Sequence, residues 1–341
     1  MIREALVKLS QKQQLSEKEA YDCMIEILEG TALPTQVAAY LAFLNLEFET
    51  SDEVVGSVKA MREKMVRLNA EGLEAIDVCG TGGDQKGTFN ISTTASLVLA
   101  GGGVKVAKHG NRAASSKCGS AEVLEALGVK IDSTVAVLER CLREAGTAFL
   151  FAPHFHPAMK NVASIRKELG FRTIFNVLGP MSNPASVKRQ VIGVYDPQRA
   201  RLMAEALIQS GTQRVVTLHS KDGLDEVSCA DETFLWEYRV DQGKGTSRVS
   251  EVIRPEYFGF KRRPLEDIKG LEAVTNAKIV MEVLEGAKGP YREAVVMNAA
   301  VGFYVADKCP QILDGRALAE ESIDSGKALK ALKKLQEVSH S

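Results

Sequence analysis

A glycine-rich segment offers the first chemistry in this sequence of 341 residues. Residues 77–103 read DVCGTGGDQKGTFNISTTASLVLAGGG, which places glycines, an acid, a lysine and hydroxyl groups between two apolar runs. Glycine lets backbone N–H groups approach an anion, and the N-terminus of a following helix adds favourable partial charge. The segment matches neither the P-loop pattern nor the dinucleotide pattern G-x-G-x-x-G. It predicts a phosphate or pyrophosphate site, although alone it could also be a tight turn with a helix cap.

A second polar cluster follows the next apolar run. Residues 104–128 read VKVAKHGNRAASSKCGSAEVLEALG, again in the order strand, polar turn and helix. The polar turn contains Lys108, His109, Asn111, Arg112, Ser115, Ser116, Gly119 and Ser120. Cations beside hydroxyl groups form a cradle for an oxyanion, and the alternative is a capped surface turn. Because both clusters follow predicted strands, we expect them to meet at the carboxyl edge of one sheet, where ligands usually bind.

Adjacent carboxylates predict a magnesium site. Asp225 and Glu226 lie in a turn after the apolar run RVVTLH. Mg²⁺ commonly takes one or two carboxylates together with phosphate oxygens of a substrate. A solvated acidic turn is the alternative, but a phosphate site without a cation would leave negative charge unmatched.

An arginine in a helical pattern is a candidate for binding a carboxylate. Residues 156–184 read HPAMKNVASIRKELGFRTIFNVLGPMSNP and place Arg166 on a predicted helix. A guanidinium can hold a carboxylate through two hydrogen bonds, although a lone arginine more often forms a surface ion pair. His154 and His156, at the start of this helix, are candidates for lining a pocket. The letters LGPMSNP predict a rigid Gly/Pro turn.

These residues need elements to position them, and the chain changes its pattern near residue 76. Residues 1–70 predict helices only, with Ser16 and Glu19 forming a capping box. After them, the apolar runs AIDVCG, VKVAK, TAFLFA, QVIGVY and RVVTLH alternate with helical patterns. This alternation predicts an α/β fold with a mostly parallel central sheet flanked by helices. The runs ETFLWEYRV and TSRVSEVI predict a short antiparallel insertion.

Composition limits the classes of partner. The chain is 45% hydrophobic and carries a net charge of −1, so bulk electrostatics favour neither nucleic acid nor an anionic membrane as a partner. Its N-terminal residues show neither a signal peptide nor a membrane span. The six scattered cysteines predict reduced thiols in a cytoplasmic protein, with Cys79 notable for its place inside the glycine loop.

Four of these stretches resemble the anthranilate phosphoribosyltransferases. They are DVCGTGGDQKGTFNIST, KHGNRAASSKCGSAEVLEALG, HPAMKNVASIRKELGFRTIFNVLGPMSNP and DGLDE, in the order of the family and spread over nearly the whole chain. The resemblance implies a pentosyltransferase of tryptophan biosynthesis, which moves the phosphoribosyl group of 5-phosphoribosyl 1-diphosphate (PRPP) to the amine of anthranilate in the second step from chorismate. It implies a small helical domain, residues 1–70 with part of 165–190, and a large α/β domain, residues 71–341, with the site at their hinge. A homodimer is expected, and an anthranilate synthase subunit is a candidate partner.

The family's functional residues transfer to matching positions here, with Mg²⁺ as the cofactor. The resemblance implies that PRPP contacts Gly80, Gly83, Asp84, Thr88, Asn90, Ile91, Ser92, Thr93, Lys108 and Ser120. It implies that anthranilate lies against Gly80, His109, Asn111 and Arg166, and that magnesium binds Ser92, Asp225 and Glu226. No catalytic residue is assigned, although His109 is a candidate proton acceptor. Cys118 and Glu122 depart from the family pattern, and both changes are conservative.

Two other functions fit the fold-level pattern. A pyrimidine nucleoside phosphorylase would require S-G-R-G and H-T-G-G motifs where this chain has KHGNRAASS. A non-catalytic relative that binds nucleic acid would show a basic surface and eroded site motifs, whereas these motifs are intact.

Overall fold

The protein was analysed as a computed structural model, and the structure describes residues 1–113, 117–241 and 245–341. Ser115 and Ser116 of the second polar cluster therefore lie outside the described residues. In the described ranges, no helix combines the length and the apolar character that a membrane span requires.

The first 64 residues form four helices, as the sequence predicts. They are α1 (Ile2–Ser10), α2 (Glu17–Glu29), α3 (Pro34–Glu47) and α4 (Ser51–Lys64). The predicted capping box is confirmed, because the Ser16 side chain accepts from the Glu19 N–H and the Glu19 carboxylate accepts from the Ser16 N–H. Thr50 and Glu53 begin α4 in the same way. These reciprocal bonds satisfy N–H groups that a helix start leaves unpaired.

A seven-stranded sheet forms the centre of the rest of the chain. Its strands are β1 (Ile76–Gly80), β2 (Val106–Gly110), β3 (Thr147–Phe151), β4 (Arg189–Gly193), β5 (Arg214–Ser220), β6 (Thr233–Asp241) and β7 (Gly245–Ile253). Their order is β3-β2-β1-β4-β5-β6-β7; the first five are parallel to one another, and the β5–β6 and β6–β7 pairings are antiparallel. The mostly parallel sheet is confirmed, and the predicted antiparallel insertion extends one edge of this same sheet.

Helices flank this sheet, as the alternating pattern predicts. They are α5 (Ile91–Gly101), α6 (Ser120–Ala126), α7 (Val135–Glu144), α8 (Ala152–Phe155), α9 (Lys160–Leu169), α10 (Phe175–Met181), α11 (Pro197–Gln209), α12 (Ala273–Leu284), α13 (Pro290–Val305), α14 (Asp314–Asp324) and α15 (Lys327–Ser339). The predicted helix after His156 begins with a 3₁₀ turn, Pro157–Met159, and continues as α9 from Lys160. Pro157 suits this start, since the first N–H groups of a helix have no intrahelical partner.

The prediction of a Gly/Pro turn at LGPMSNP is wrong for its first four residues, which are helical. Leu178, Gly179, Pro180 and Met181 belong to α10. Pro180 lies in the last turn of this helix, and burial of Phe175, Leu178 and Met181 outweighs the poor helix propensity of the Gly–Pro pair. Helix α10 therefore presents the Gly179 carbonyl at a defined place.

Buried apolar side chains form two clusters. One surrounds β1–β3 and the helices α5–α7 and α12–α15. The other joins residues of α1–α4 to residues of α9 and α10, such as Val162 and Phe175, and to one face of β4. Segments 160–169 and 175–181 thus pack with the N-terminal helices although they are distant in sequence. The domain boundary at residue 70 itself stays a prediction.

Candidate active site

The strand order reverses between β1 and β4. Strands β2 and β3 continue the sheet on one side of β1, whereas β4 and β5 continue it on the other. In parallel sheets such a reversal leaves a crevice at the carboxyl ends of the two strands, and ligands bind there. The glycine loop, residues 81–90, leaves β1 at this point and leads directly into α5.

The glycine loop wraps around the side chain of Asp225. Gly82 and Gly83 have φ angles of +67° and +76°, which favour glycine. The Gly82 N–H donates to Asp225 Oδ2 over 2.8 Å. A Cβ atom at Gly80 would lie 2.6 Å from the same oxygen. Only a residue without a side chain at position 80 permits this approach.

Gly193, at the end of β4, sets the position of the Asp225 backbone. A Cβ atom at Gly193 would lie 1.5 Å from the Asp225 carbonyl oxygen. Sequence reasoning missed this residue. The available signal was a glycine inside the strand pattern QVIGVY, since such glycines often mark a close backbone approach.

The carboxylates at this crevice repel one another and are poorly hydrated. Burial raises the pKa of Asp225 well above its ordinary value, and the charges of Asp84 and Glu226 raise it further. Burial also raises the pKa of Glu226 to about 7, against the opposing effect of the Lys108 charge. Ser92 N–H, in the first turn of α5, donates to Glu226 Oε1 over 3.2 Å. A cation bound by these oxygens would relieve the unfavourable charge.

The donor set suits a hard cation. The carboxylates of Asp225 and Glu226 and the hydroxyl of Ser92 supply oxygen only, which Mg²⁺ prefers. Throughout the described ranges, no group of three or more His, Cys, Asp or Glu side chains is arranged to hold an ion by itself. Magnesium usually keeps water or substrate oxygens among its ligands, so two carboxylates are a sufficient protein contribution.

Lys108 places a positive charge beneath the start of α5. It is only 3% exposed, and its Nζ donates to the Val78 carbonyl over 2.7 Å and to Ser92 Oγ over 3.2 Å. A buried ammonium held in this way needs negative charge nearby. A bound phosphate and the carboxylate of Glu226 would both supply it.

The second polar cluster meets the first one, as the sequence predicts. Thr93 Oγ1 donates to Ser120 Oγ over 2.9 Å, and Asn90 Nδ2 donates to the Cys118 carbonyl over 3.2 Å. Asn276 of α12, which sequence reasoning missed, donates to Asn90 Oδ1 over 3.0 Å. The two loops therefore form one polar wall.

Glu122, one of the two residues that depart from the family pattern, has a structural role. Its carboxylate accepts from the Gly119 N–H over 3.0 Å and from the Ala113 N–H over 3.2 Å. The side chain thus caps α6 and ties the loop before it. The longer glutamate side chain meets a structural need at this position.

The other predicted PRPP contacts in and after the glycine loop are held by hydrogen bonds or by burial. Thr88 pairs with Lys269 in an isolated β-bridge, and the Gly270 N–H donates to the Gly87 carbonyl over 2.7 Å. Asp84 Oδ1 accepts from the Lys86 N–H over 3.1 Å, while Ile91 is buried. The loop is therefore anchored at its far end by the segment before α12.

Two histidines lie buried beside this wall. The rings of His109 and His156 have centroids 5.0 Å apart. His109 Nδ1 lies 3.1 Å from the Gly179 carbonyl oxygen, which assigns the proton to Nδ1 and leaves Nε2 as an acceptor. Burial and the neighbouring imidazole lower the pKa of His109 to about 3, and burial lowers the pKa of His156 to about 4. Both rings are neutral at pH 7.

Arg166, on α9, lies near the same region because it contacts α10. Its guanidinium lies 5.3 Å from the centroid of the Phe175 ring, one helical turn before Gly179, the residue that His109 contacts. Burial lowers the pKa of Arg166, and within the described residues it forms no ion pair with a carboxylate. Asn111 is exposed, and its Oδ1 accepts from the Arg112 N–H over 2.8 Å. No hydrogen bond in the described ranges joins Arg166 or Asn111 to the other predicted site residues.

Two family models match the chain. The helical bundle domain of a glycosyl transferase family matches residues 3–65, and the a/b domain of a glycosyl transferase family matches residues 72–329.

Curated relatives align with the chain from end to end. An anthranilate phosphoribosyltransferase of Thermoanaerobacter sp. (strain X514) is 46% identical over 99% of this chain and 98% of that protein. The enzyme of that name from Rhodopseudomonas palustris is 47% identical over 98% of this chain and 97% of that protein. A crystal structure of the Thermus thermophilus enzyme superposes with a TM-score of 0.90 at 42% identity, over 99% of both chains. The Saccharomyces cerevisiae enzyme in complex with PRPP and Mg superposes with a TM-score of 0.89 at 29% identity, over 99% of this chain and 98% of that one.

Proposed function

Because this chain belongs to the anthranilate phosphoribosyltransferase family, we propose that it joins anthranilate to the phosphoribosyl group of PRPP and releases pyrophosphate. It is a pentosyltransferase of tryptophan biosynthesis and uses Mg²⁺. The observation that carries this function is the meeting of the glycine loop with Asp225 and Glu226 at the strand reversal. A phosphorylase or a nucleic-acid-binding relative is not favoured, since the relatives that cover the whole chain are named for this transfer.

The glycine loop and the start of α5 hold the sugar diphosphate in this proposal. Backbone N–H groups of Gly83 and Asp84, the side chains of Thr88 and Asn90 and the first turn of α5 surround one anion. Lys108 supplies a fixed positive charge beneath them, and Thr93 and Ser120 supply hydroxyl groups from the two loops. Such donors act by positioning and by neutralising charge, which is the catalysis that a dissociating diphosphate requires.

Asp225, Glu226 and Ser92 are the residues that would hold magnesium. The glycine loop contacts Asp225 and the Ser92 N–H contacts Glu226. The pKa values of both acids are raised, so a cation bound by them would relieve unfavourable charge. When bound there, Mg²⁺ neutralises the negative charge that grows on the leaving group.

Arg166 holds the anthranilate carboxylate in this proposal. It is a half-buried guanidinium without a carboxylate partner in the described ranges, so an incoming carboxylate would satisfy it. The S. cerevisiae enzyme was solved with 4-fluoroanthranilate and superposes with a TM-score of 0.88. The bound aromatic ring would lie between α10 and the loop that carries Asn111.

His109 serves as a hydrogen-bond acceptor for the amine in this proposal. Its Nε2 is buried without a hydrogen-bond partner in the described ranges, and Nδ1 is fixed by Gly179. A pKa of about 3 makes the ring a weak base, so it orients the amine better than it removes a proton. An arylamine is neutral at pH 7 and carries its own lone pair to C1 of the ribose.

One assay tests this function. Anthranilate is fluorescent, and addition of PRPP with Mg²⁺ should consume that fluorescence and release pyrophosphate in equal amounts. Thymidine with inorganic phosphate is the matched control for a phosphorylase and should give no free base. Phosphorolysis of thymidine, without any loss of anthranilate, would overturn the assignment.

Assembly and location are part of the same proposal. Leu33, Leu46 and Val7 are 61%, 74% and 57% exposed on or beside α1 and α3, an apolar surface that a second copy would cover. We therefore expect a homodimer through the helical region, measurable by sedimentation equilibrium, with an anthranilate synthase subunit as a further candidate partner. Within the described ranges no disulfide joins the cysteines, which suits the reducing cytoplasm.

A further inference from the structure

The turn between α9 and α10 places an arginine on the glycine loop. Arg172 Nη2 donates a hydrogen bond to the Gly83 carbonyl oxygen, across 89 positions of sequence. A Cβ atom at Gly83 would lie 3.2 Å from the same nitrogen. Glycine at position 83 therefore makes room for the guanidinium as well as for the bend of the loop.

An aromatic ring holds this guanidinium in place. The central carbon of the Arg172 guanidinium lies 3.8 Å from the centroid of the Tyr195 ring. The Tyr195 N–H donates to Thr81 Oγ1 over 3.2 Å, so the platform is tied to the start of the same loop. The Tyr195 hydroxyl accepts from Arg199, which fixes the ring from its other end. A stacked arginine loses little rotational freedom when it donates a hydrogen bond.

The contact fixes the orientation of one loop peptide. A trans peptide is planar, and its C=O and N–H groups point in opposite directions. A donor that holds the Gly83 carbonyl therefore also fixes the direction of the Asp84 N–H. In the described ranges, no carboxylate lies within ion-pair distance of Arg172, so no ion pair competes with its hydrogen bond to the loop.

We propose that Arg172 is a positioning residue for the sugar diphosphate: it holds the glycine loop, through the Gly83 carbonyl, in the form that receives the phosphate groups. The inference rests on the function proposed above. Arg172 lies in the turn after α9, which carries Arg166, and both helices beside that turn pack with the N-terminal helices. One segment thus reaches both substrates.

Steady-state kinetics give the first test. In Arg172→Ala, the KM for PRPP should rise about 10- to 100-fold, the range expected for a lost hydrogen bond to a charged group. The KM for anthranilate should stay within about threefold, since Arg166 is untouched. Arg172→Lys should recover part of the loss, because a lysine can donate one bond but cannot reproduce the planar stack. Arg143→Ala, which removes an exposed arginine from α7, is the matched control and should change neither constant.

Hydrogen exchange of the loop gives a second reading that does not depend on turnover. Amides of residues 81–87 should exchange faster in Arg172→Ala than in the wild type, while those of β1 and α5 stay unchanged. A rise in the KM for PRPP with unaltered loop exchange would overturn the positioning role and make Arg172 a direct substrate ligand. An unchanged KM for PRPP in an active Arg172→Ala enzyme would also overturn it. Absence of activity in the wild type would instead refute the proposed function.

Discussion

A single methyl group at position 193 should disable the magnesium site. In Gly193→Ala the new Cβ would begin 1.5 Å from the Asp225 carbonyl oxygen, whereas ordinary contact starts at 3.4 Å. The end of β4 and the turn that carries Asp225 must therefore separate by about 2 Å, because no side-chain rotation can move a Cβ atom away from a backbone carbonyl. Asp225 would then lose its bond of 2.8 Å from the Gly82 N–H and move away from Glu226.

The loss in rate follows from this displacement. Misplacing a catalytic group by about 1 Å can cost about 100-fold, so kcat/KM should fall at least about 100-fold, or about 2.7 kcal/mol in activation free energy. The Mg²⁺ concentration that gives half-maximal activity should rise at the same time. Overpacking should also lower the free energy of unfolding by about 1 to 3 kcal/mol.

Gly101→Ala separates these two effects. Its Cβ would lie 2.5 Å from the Ala328 backbone nitrogen, a smaller clash with backbone at the far end of α5 from the glycine loop. This control should lose stability and keep the magnesium dependence of the wild type. If Gly193→Ala retained both kcat/KM and its magnesium dependence, the close approach of β4 to Asp225 would not set the site.

Three further results are expected. Asp225→Asn with Glu226→Gln keeps the shapes and removes the charges, so the Mg²⁺ requirement should rise by at least about tenfold, and an unaltered magnesium titration would contradict the ligand assignment. Arg166→Ala should raise the KM for anthranilate far more than the KM for PRPP, and equal increases would refute its role as the carboxylate ligand. His156 has a folded pKa of about 4, below its unfolded value, so the unfolded chain binds more protons and stability falls as the pH drops below about 6.5. Urea titrations at pH 8 and pH 5 should show that wild type loses about 2 kcal/mol more than His156→Asn over this interval, and equal losses would mean that the imidazole is not buried as neutral.

The chemistry of the site could be predicted from the sequence because most of it is local. Gly80 to Thr93 form a continuous strand, loop and helix, and Lys108 to Ser120 form another. Hydrophobic periodicity and turn-forming residues identify such strand–loop–helix segments without any knowledge of the fold. The Asp225–Glu226 pair was visible for the same reason. The resemblance of these motifs to a family added the identity of the substrates.

The order of the strands and the contacts across the sheet were decided by the tertiary structure alone. Gly193 and Asp225 meet because β4 lies beside β5, and Arg172 reaches Gly83 across 89 positions of sequence. The helix at LGPM also exists because α10 buries its apolar side chains, against the local preference of glycine and proline. The hydrophobic periodicity of a sequence shows which residues share one face of a helix or strand. Which helices and strands then pack together depends on the apolar surface buried over the whole chain.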